Sequence, residues 1–220
     1  TIRLRLPDGC AIYLKRHYPA GFIAGLKKLF EFSPEPTAFD EFKHIAAFNQ
    51  CGIPTVTPIS AGKRTAGPLQ TESFLVTLAL QDCAKLDEYL AEQLSFAAKS
   101  ALIAQTAGLV KKMHAAGFNH RDLYLCHILR ESSGKLYIVD LHRVQRRAQV
   151  PERWQVKDIA ALNYSSPRTV SRTDRLRFLK TYLGSGHLTG GDKRFILKIL
   201  KKTQTMLEHN TTKLHSVVHK

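Results

Sequence analysis

Two stretches decide the fold: Asn119-His120-Arg121-Asp122-Leu123-Tyr124-Leu125-Cys126-His127 and Ile138-Val139-Asp140-Leu141-His142-Arg143. The first follows a long run, Leu94 to Ala116, that places Leu102, Thr106, Leu109, Val110 and Met113 on one helical face, with Gly117 as its natural stop. Eighteen residues beyond Asp122, Asp140 ends the apolar run of a buried strand, Leu136 to Leu141. Two upstream residues join them. Lys15 ends the strand-like Tyr13-Leu14-Lys15, and Glu41 lies on a helix whose apolar spacing runs from Asp40 to Gln50 until Gly52 stops it. Each has a plain explanation by itself. A strand lysine is usually a surface charge, a helix glutamate is usually solvated, and His-Arg-Asp can be an ordinary polar loop.

Their order is more specific than any one of them. Strand lysine, helix glutamate, His-Arg-Asp loop and strand-end aspartate, in this succession, match the protein-kinase-like fold, in which catalysis is mainly positioning and charge neutralisation. On that reading Asp122 accepts or orients the proton of the acceptor hydroxyl. Lys15 contacts the α/β-phosphates of ATP and is steadied by Glu41, and Asp140 holds Mg²⁺. The backbone of Thr77, Leu78 and Ala79 follows the last strand of the small lobe, where adenine is usually met. His120 and Arg121 are expected to hold the loop rather than to react. No GxGxxG precedes Lys15, since Asp8-Gly9 reads as a hairpin turn. The glycine loop is therefore expected upstream of Thr1 or replaced, and an opening on Thr rather than Met suggests that the natural chain extends further.

The wording of the motifs narrows the resemblance. His120-Arg121-Asp122-Leu123-Tyr124-Leu125-Cys126-His127 and Val139-Asp140-Leu141-His142-Arg143 resemble the lipopolysaccharide core kinases, the Kdo/heptose kinase family. Arg153-Trp154, Lys157-Asp158-Ile159-Ala160-Ala161-Leu162 and Arg175 to Tyr182 extend the likeness. The resemblance implies transfer of the γ-phosphate of ATP to a heptose or Kdo of the inner core, with ATP and Mg²⁺ required. It also implies a lipopolysaccharide core or lipid A-core acceptor, and a cytoplasmic location with peripheral contact at the inner membrane. Asp158 has the family look of a buried brace for the catalytic loop, against the plain reading of a charge at a helix N-terminus. His127 stands where protein kinases have an asparagine that binds a second metal. Imidazole is a poor ligand for Mg²⁺, so His127 is expected to touch a metal or a phosphate oxygen, unless one strongly held metal suffices. The alternatives are a protein or small-molecule kinase of the same fold, and a catalytically weak pseudokinase or binding module that uses its basic face.

Charge supports an anionic partner. The chain has 220 residues, with 33 Lys+Arg against 18 Asp+Glu, and ten Lys/Arg against three Asp/Glu fall between Leu141 and Lys180. Such a field attracts polyanions, and Arg143, Arg146, Arg147 and Arg153, just beyond Asp140, are the expected acceptor-binding residues. No zinc-finger or RNP pattern accompanies the charge, so sequence-specific nucleic-acid binding is not expected. No run approaches the roughly 18–20 apolar residues of a membrane span. Four scattered cysteines without a CxxC pair exclude a disulfide scaffold.

Strand-like segments come first: Ile2 to Lys15, Ile53 to Ile59 and Ser73 to Leu80, with a turn around Gly62 to Gly67. Helical segments dominate later, at Ile159 to Leu162, Asp174 to Leu183 and Lys193 to Leu207. The expected architecture is α+β and two-lobed, with an N-lobe over 1–80, apparently lacking its first strands, and a C-lobe over 81–220. Phe22 to Phe30 reads as a short amphipathic helix, packed in the core or resting on a membrane surface.

Overall fold

The computed structural model describes residues 1–7, 9–18, 37–67 and 70–218. The amphipathic reading of Phe22 to Phe30 lies outside them. The described chain forms two compact units, Thr1–Asp82 with Tyr137–Val144, and Cys83–Leu136 with Gln145–Lys220.

The first unit is built on a four-stranded antiparallel sheet of β1 (Ile2–Arg5), β2 (Ala11–His17), β3 (Pro58–Gly67) and β4 (Gln70–Leu78), in the order β1-β2-β4-β3. A hairpin joins β1 to β2, as Leu6 donates its amide to the Cys10 carbonyl and Gly9 adopts φ +84°. Helix α1 (Ala38–Gln50) packs on β3 and β4 through Ala38, Ile45 and Phe48, all buried. A capping box fixes its start: the Thr37 hydroxyl accepts from the Asp40 amide and Asp40 accepts from the Thr37 amide. That start places Glu41 in the first turn, on the inner face.

The strand expected over Ile53 to Ile59 is displaced. Ile53 is buried but lies outside regular strand, and β3 begins at Pro58 and runs through Gly62 to Gly67, the stretch expected to turn. Register shifts at Pro58/Ser60 and Thr65/Gly67 absorb the proline and the glycine.

The second unit is mostly helical. β5 (Cys83–Lys85) pairs antiparallel with β7 (Ile128–Glu131), and β6 (Phe118–Asn119) with β9 (Gln145–Arg146). Its helices are α2 (Leu86–Ala91), α3 (Phe96–Ala115), α4 (Glu152–Tyr164), α5 (Arg172–Leu183) and α6 (Gly190–Val218). α3 packs on α5 and α4 on α6, and Ile103, Ala107, Val110, Met113, Ile159, Ala160, Tyr182 and Ile199 form the core. Among the described residues no helix is long and apolar enough to cross a membrane.

Candidate active site

Two clusters carry the expected chemistry, one in each unit. In the first, Lys15 stands on β2, and its neighbour across the strand pair is Leu75. Its ammonium donates to Glu41 Oε2 at 2.9 Å and to Asp140 Oδ1 at 2.7 Å. The Glu41 side chain is 5% exposed, those of Lys15 and Asp140 25% and 30%, so the triad has one buried end and one open end. Burial is the largest influence on Lys15 and pulls its ammonium down, but the two carboxylates outweigh it and hold it above its ordinary value.

Asp140 follows β8 (Leu136–Ile138) rather than ending it, and takes up a left-handed conformation at φ +62° before a short 3₁₀ turn, Leu141–Arg143. A non-glycine residue there is strained, and such strain gathers at functional sites. Burial pushes its carboxyl upward, but hydrogen bonds from His142 and Lys15 hold it well below the usual carboxylate range. His142 Nδ1 lies 2.9 Å from Asp140 Oδ1, and His44 Nδ1 on α1 lies 3.0 Å from the Leu141 carbonyl. Both histidines escape the sequence reading. Their only signals are spacings, His142 two residues after Asp140 and His44 three after Glu41 on the same helix.

Burial, the largest influence on His44, pushes its imidazole below the ordinary value. His44 therefore binds fewer protons folded than unfolded, and stability falls as pH drops below about 6.5. His17, also lowered mainly by burial, adds to the same slope. The variant His44→Gln is expected to flatten part of it. An unfolding midpoint that follows pH identically in both proteins between about pH 5 and 6.5 would remove the assignment.

In the second unit the catalytic-loop motif hangs from α4. Asp158 is fully buried, and its carboxylate accepts the main-chain amides of His120 and Arg121, each at 2.7 Å. Its third partner is His114 Nε2 at 3.2 Å, while His114 Nδ1 meets the Tyr182 hydroxyl at 2.8 Å. With Tyr182 O–H donating to Nδ1 and Nε2–H donating to Asp158, every proton in this chain has a place. Burial, helped by the charge of Asp158, pushes the Tyr182 phenol up and keeps it a donor. His114 and Tyr182 are further functional neighbours that the sequence did not single out.

The two bonds from Asp158 hold Arg121 at φ +74° and fix the backbone just ahead of Asp122. The Asp122 carbonyl accepts from the Tyr124 amide at 2.9 Å, and His127 Nδ1 lies 2.8 Å from it. That contact requires the proton on Nδ1, which makes Nε2 the lone-pair nitrogen of the ring.

Of the four arginines expected to meet the acceptor, three belong to the second unit. Arg143 belongs to the first unit. Arg146 lies with its guanidinium 5.0 Å from the Phe118 ring centre. Arg147 and Arg153 both lie over Trp154, at 5.6 and 5.4 Å. Gly117 sets Arg147 in place: its carbonyl accepts the Arg147 amide, and at φ +84° a Cβ on Gly117 would lie 2.1 Å from the Arg147 carbonyl oxygen. Of the adenine-side residues, Thr77 and Ala79 are buried and Leu78 is 38% exposed. The amides of Leu78 and Ala79 donate to the carbonyls of Thr57 and Ala11, so neither serves as a donor to a base in this arrangement.

Among the described residues no group of three or more His, Cys, Asp or Glu side chains is arranged to hold a metal. A hard ion that keeps several waters and takes one or two protein carboxylates besides phosphate oxygens does not need one. Asp140, ionised throughout the physiological range, suits it.

A lysine shared by a helix glutamate and an aspartate after a strand, together with a braced His-Arg-Asp loop, defines a protein-kinase-like phosphotransferase. The lipopolysaccharide kinase (Kdo/WaaP) family matches residues 10–182. The chain is 36% identical over 197 residues to the lipopolysaccharide core heptose(I) kinase WaaP of Escherichia coli K12, covering 84% of this chain and 74% of that protein. Identity is 34% over 195 residues to the protein of the same name from Pseudomonas aeruginosa PAO1, covering 83% and 72%. A solved structure, WaaP in complex with acyl carrier protein, matches with a TM-score of 0.76 at 28% identity, over 93% of this chain and 83% of that one. The chain belongs to the lipopolysaccharide kinase (Kdo/WaaP) family: it has the kinase-like fold and is a kinase of lipopolysaccharide biosynthesis, with ATP as the substrate that the family implies.

Proposed function

We propose that this kinase transfers the γ-phosphate of ATP to a heptose hydroxyl of the lipopolysaccharide inner core. The observation that carries the reading is the Lys15–Glu41–Asp140 triad, at 2.9 and 2.7 Å, in a chain whose relatives are named heptose(I) kinases. Lys15 neutralises the α/β-phosphates and Glu41 keeps it aimed. Asp122, presented by the loop braced on Asp158, takes the proton of the attacking hydroxyl. Mg²⁺, held by Asp140, would neutralise phosphate charge as transfer proceeds. His127 would offer the Nε2 lone pair to a metal or, as the doubly protonated imidazolium, donate Nε2–H to a phosphate oxygen.

Adenine is met beside Thr77, Leu78 and Ala79, with its amide donor beyond Ala79. The first unit, 1–80 in the sequence reading, handles nucleotide, and the second supplies most of the acceptor contacts. Arg143, Arg146, Arg147 and Arg153 are the candidate contacts to the anionic core. An acyl carrier protein, bound by the solved relative, is a candidate partner. The acceptor is a membrane glycolipid, which places the enzyme at the cytoplasmic face of the inner membrane.

The test incubates the protein with γ-labelled ATP, Mg²⁺ and dephosphorylated core lipopolysaccharide, beside a generic protein substrate, and maps the labelled sugar. Label on heptose is the expected result. Label on Kdo would move the acceptor, and label on protein alone would overturn the reading.

A further inference from the structure

The Arg121 main chain does the bracing that the sequence suggested for the whole residue, through its amide bond to Asp158. Its side chain does something else. The guanidinium lies 5.4 Å from the centre of the Trp154 ring, and Arg153, Lys157 and Arg147 lie at 5.4, 5.5 and 5.6 Å from the same centre. Four cations around one indole gain cation–π attraction, but they repel one another. Glu152 and Asp158 do not offset the three arginines. Glu152 pairs with Lys198, and Asp158 is held by His120, Arg121 and His114. Among the described residues Arg121, Arg147 and Arg153 take part in no ion pair. Two N–H donors at the centre, Arg121 Nε and Trp154 Nε1, are buried and find no hydrogen-bond acceptor in the protein. Uncompensated positive charge and orphaned donors gathered at one place describe an oxyanion site without its oxyanion.

We propose that Arg121, Arg147 and Arg153, arrayed round Trp154, form a subsite for a phosphate or carboxylate group carried by the acceptor glycolipid. The inference rests on the reading of the chain as an inner-core kinase, and it names the feature of the acceptor that is recognised. Arg121 immediately precedes Asp122, so an anion gripped there registers the acceptor next to the catalytic residue. Arginine suits this task because its planar fork meets two oxygens at once. Trp154 gathers the three guanidiniums at one place, where Arg147 gives one N–H to Gln145 Oε1 at 2.6 Å.

Trp154 is the chain's single tryptophan, so its fluorescence reports the site without any turnover. Titration of the full chain with inorganic phosphate, and separately with an acid-bearing core oligosaccharide, is expected to give a saturable change. In Arg147→Gln/Arg153→Gln the affinity is expected to fall about tenfold or more. Arg147→Lys/Arg153→Lys, which keeps the charge, should recover part of it. Fewer crowded cations should leave the unfolding temperature of the Gln variant unchanged or higher, which separates lost binding from lost folding. In transfer assays the Gln variant should raise KM for the acid-bearing acceptor about tenfold, with KM for ATP moving less than about twofold. The preference for that acceptor over one with its acidic groups reduced or removed should fall by the same factor.

No saturable fluorescence change, equal affinity in both variants, or equal losses on charged and neutral acceptors would each overturn the subsite. If phosphate binds through these arginines yet no core glycolipid is ever phosphorylated, the inner-core reading has failed. The anion site would then stand, and its assignment to this acceptor would not.

Discussion

Asp122→Asn is expected to lower kcat by about 10²–10⁴-fold, the usual worth of a positioned acid–base group. The loop's main-chain bonds do not use the Asp122 carboxylate. The Asp122 carbonyl, retained in asparagine, takes the Tyr124 amide and faces the His127 ring, and the preceding amides are fixed by Asp158. ATP should therefore bind with less than about a twofold change in KM, because the lysine triad lies on other elements. The assay is single-turnover transfer to core glycolipid beside nucleotide binding by a fluorescent analogue. A kcat within about fivefold of the parent protein would end Asp122's role as base. An equal loss of nucleotide binding would recast it as a structural residue.

Acid loss of activity should not come from the triad. Lys15 is held above its ordinary pKa, so its contribution is complete at low and neutral pH and lost only above the ordinary lysine range. Asp140 is held below the usual carboxylate range, so its contribution is complete above about pH 4 and lost only in strong acid. Between those limits the triad is fully formed. A change of rate with pH in the physiological range therefore comes from outside the triad.

The residues of the candidate site stand out in the sequence because they lie in short motifs whose order survives without any alignment. Lys15, Glu41 and Asp140 are separated by up to 125 positions and still meet within 3 Å. The kinase pattern demands that contact. The helices were legible for a different reason, since apolar periodicity fills them and Gly52 and Gly117 stop two of them. The sheet was less so. Pro58 and Gly67 mark register shifts in β3, and a strand that runs through Gly62 looks like a turn when only composition is read. His44, His114 and the role of His142 were missed because those roles depend on which carbonyl or carboxylate faces the ring. Arg121 shows the limit most clearly, because no spacing separates the work of its amide from that of its guanidinium.

The second large effect falls on Asp158. Replacing it with alanine leaves the amides of His120 and Arg121, and the His114 ring, without their shared acceptor in a fully buried place. Hydrogen bonds to a charged group contribute about 1.5–3 kcal/mol each, and orphaning buried donors adds their desolvation. Arg121 would also lose what holds it in the left-handed region, a conformation that costs roughly 1–2 kcal/mol. Together these predict a loss on the order of 3–5 kcal/mol, a large part of the roughly 5–15 kcal/mol that stabilises a typical domain. In a chain of this size the unfolding midpoint should fall by roughly 6–20 °C. Asp158→Asn keeps the shape and one acceptor oxygen but turns an NH₂ toward the other bonds, so it should lose less stability and still misplace Asp122. A midpoint within about 1 °C of the parent in Asp158→Ala would mean that water or a shifted side chain satisfies the loop. Full activity in Asp158→Asn would mean that the loop's position does not depend on both bonds. The brace matters more than its distance from the reacting atoms suggests, because it fixes two features at once: the backbone that presents Asp122 and the turn that sends the Arg121 side chain over Trp154.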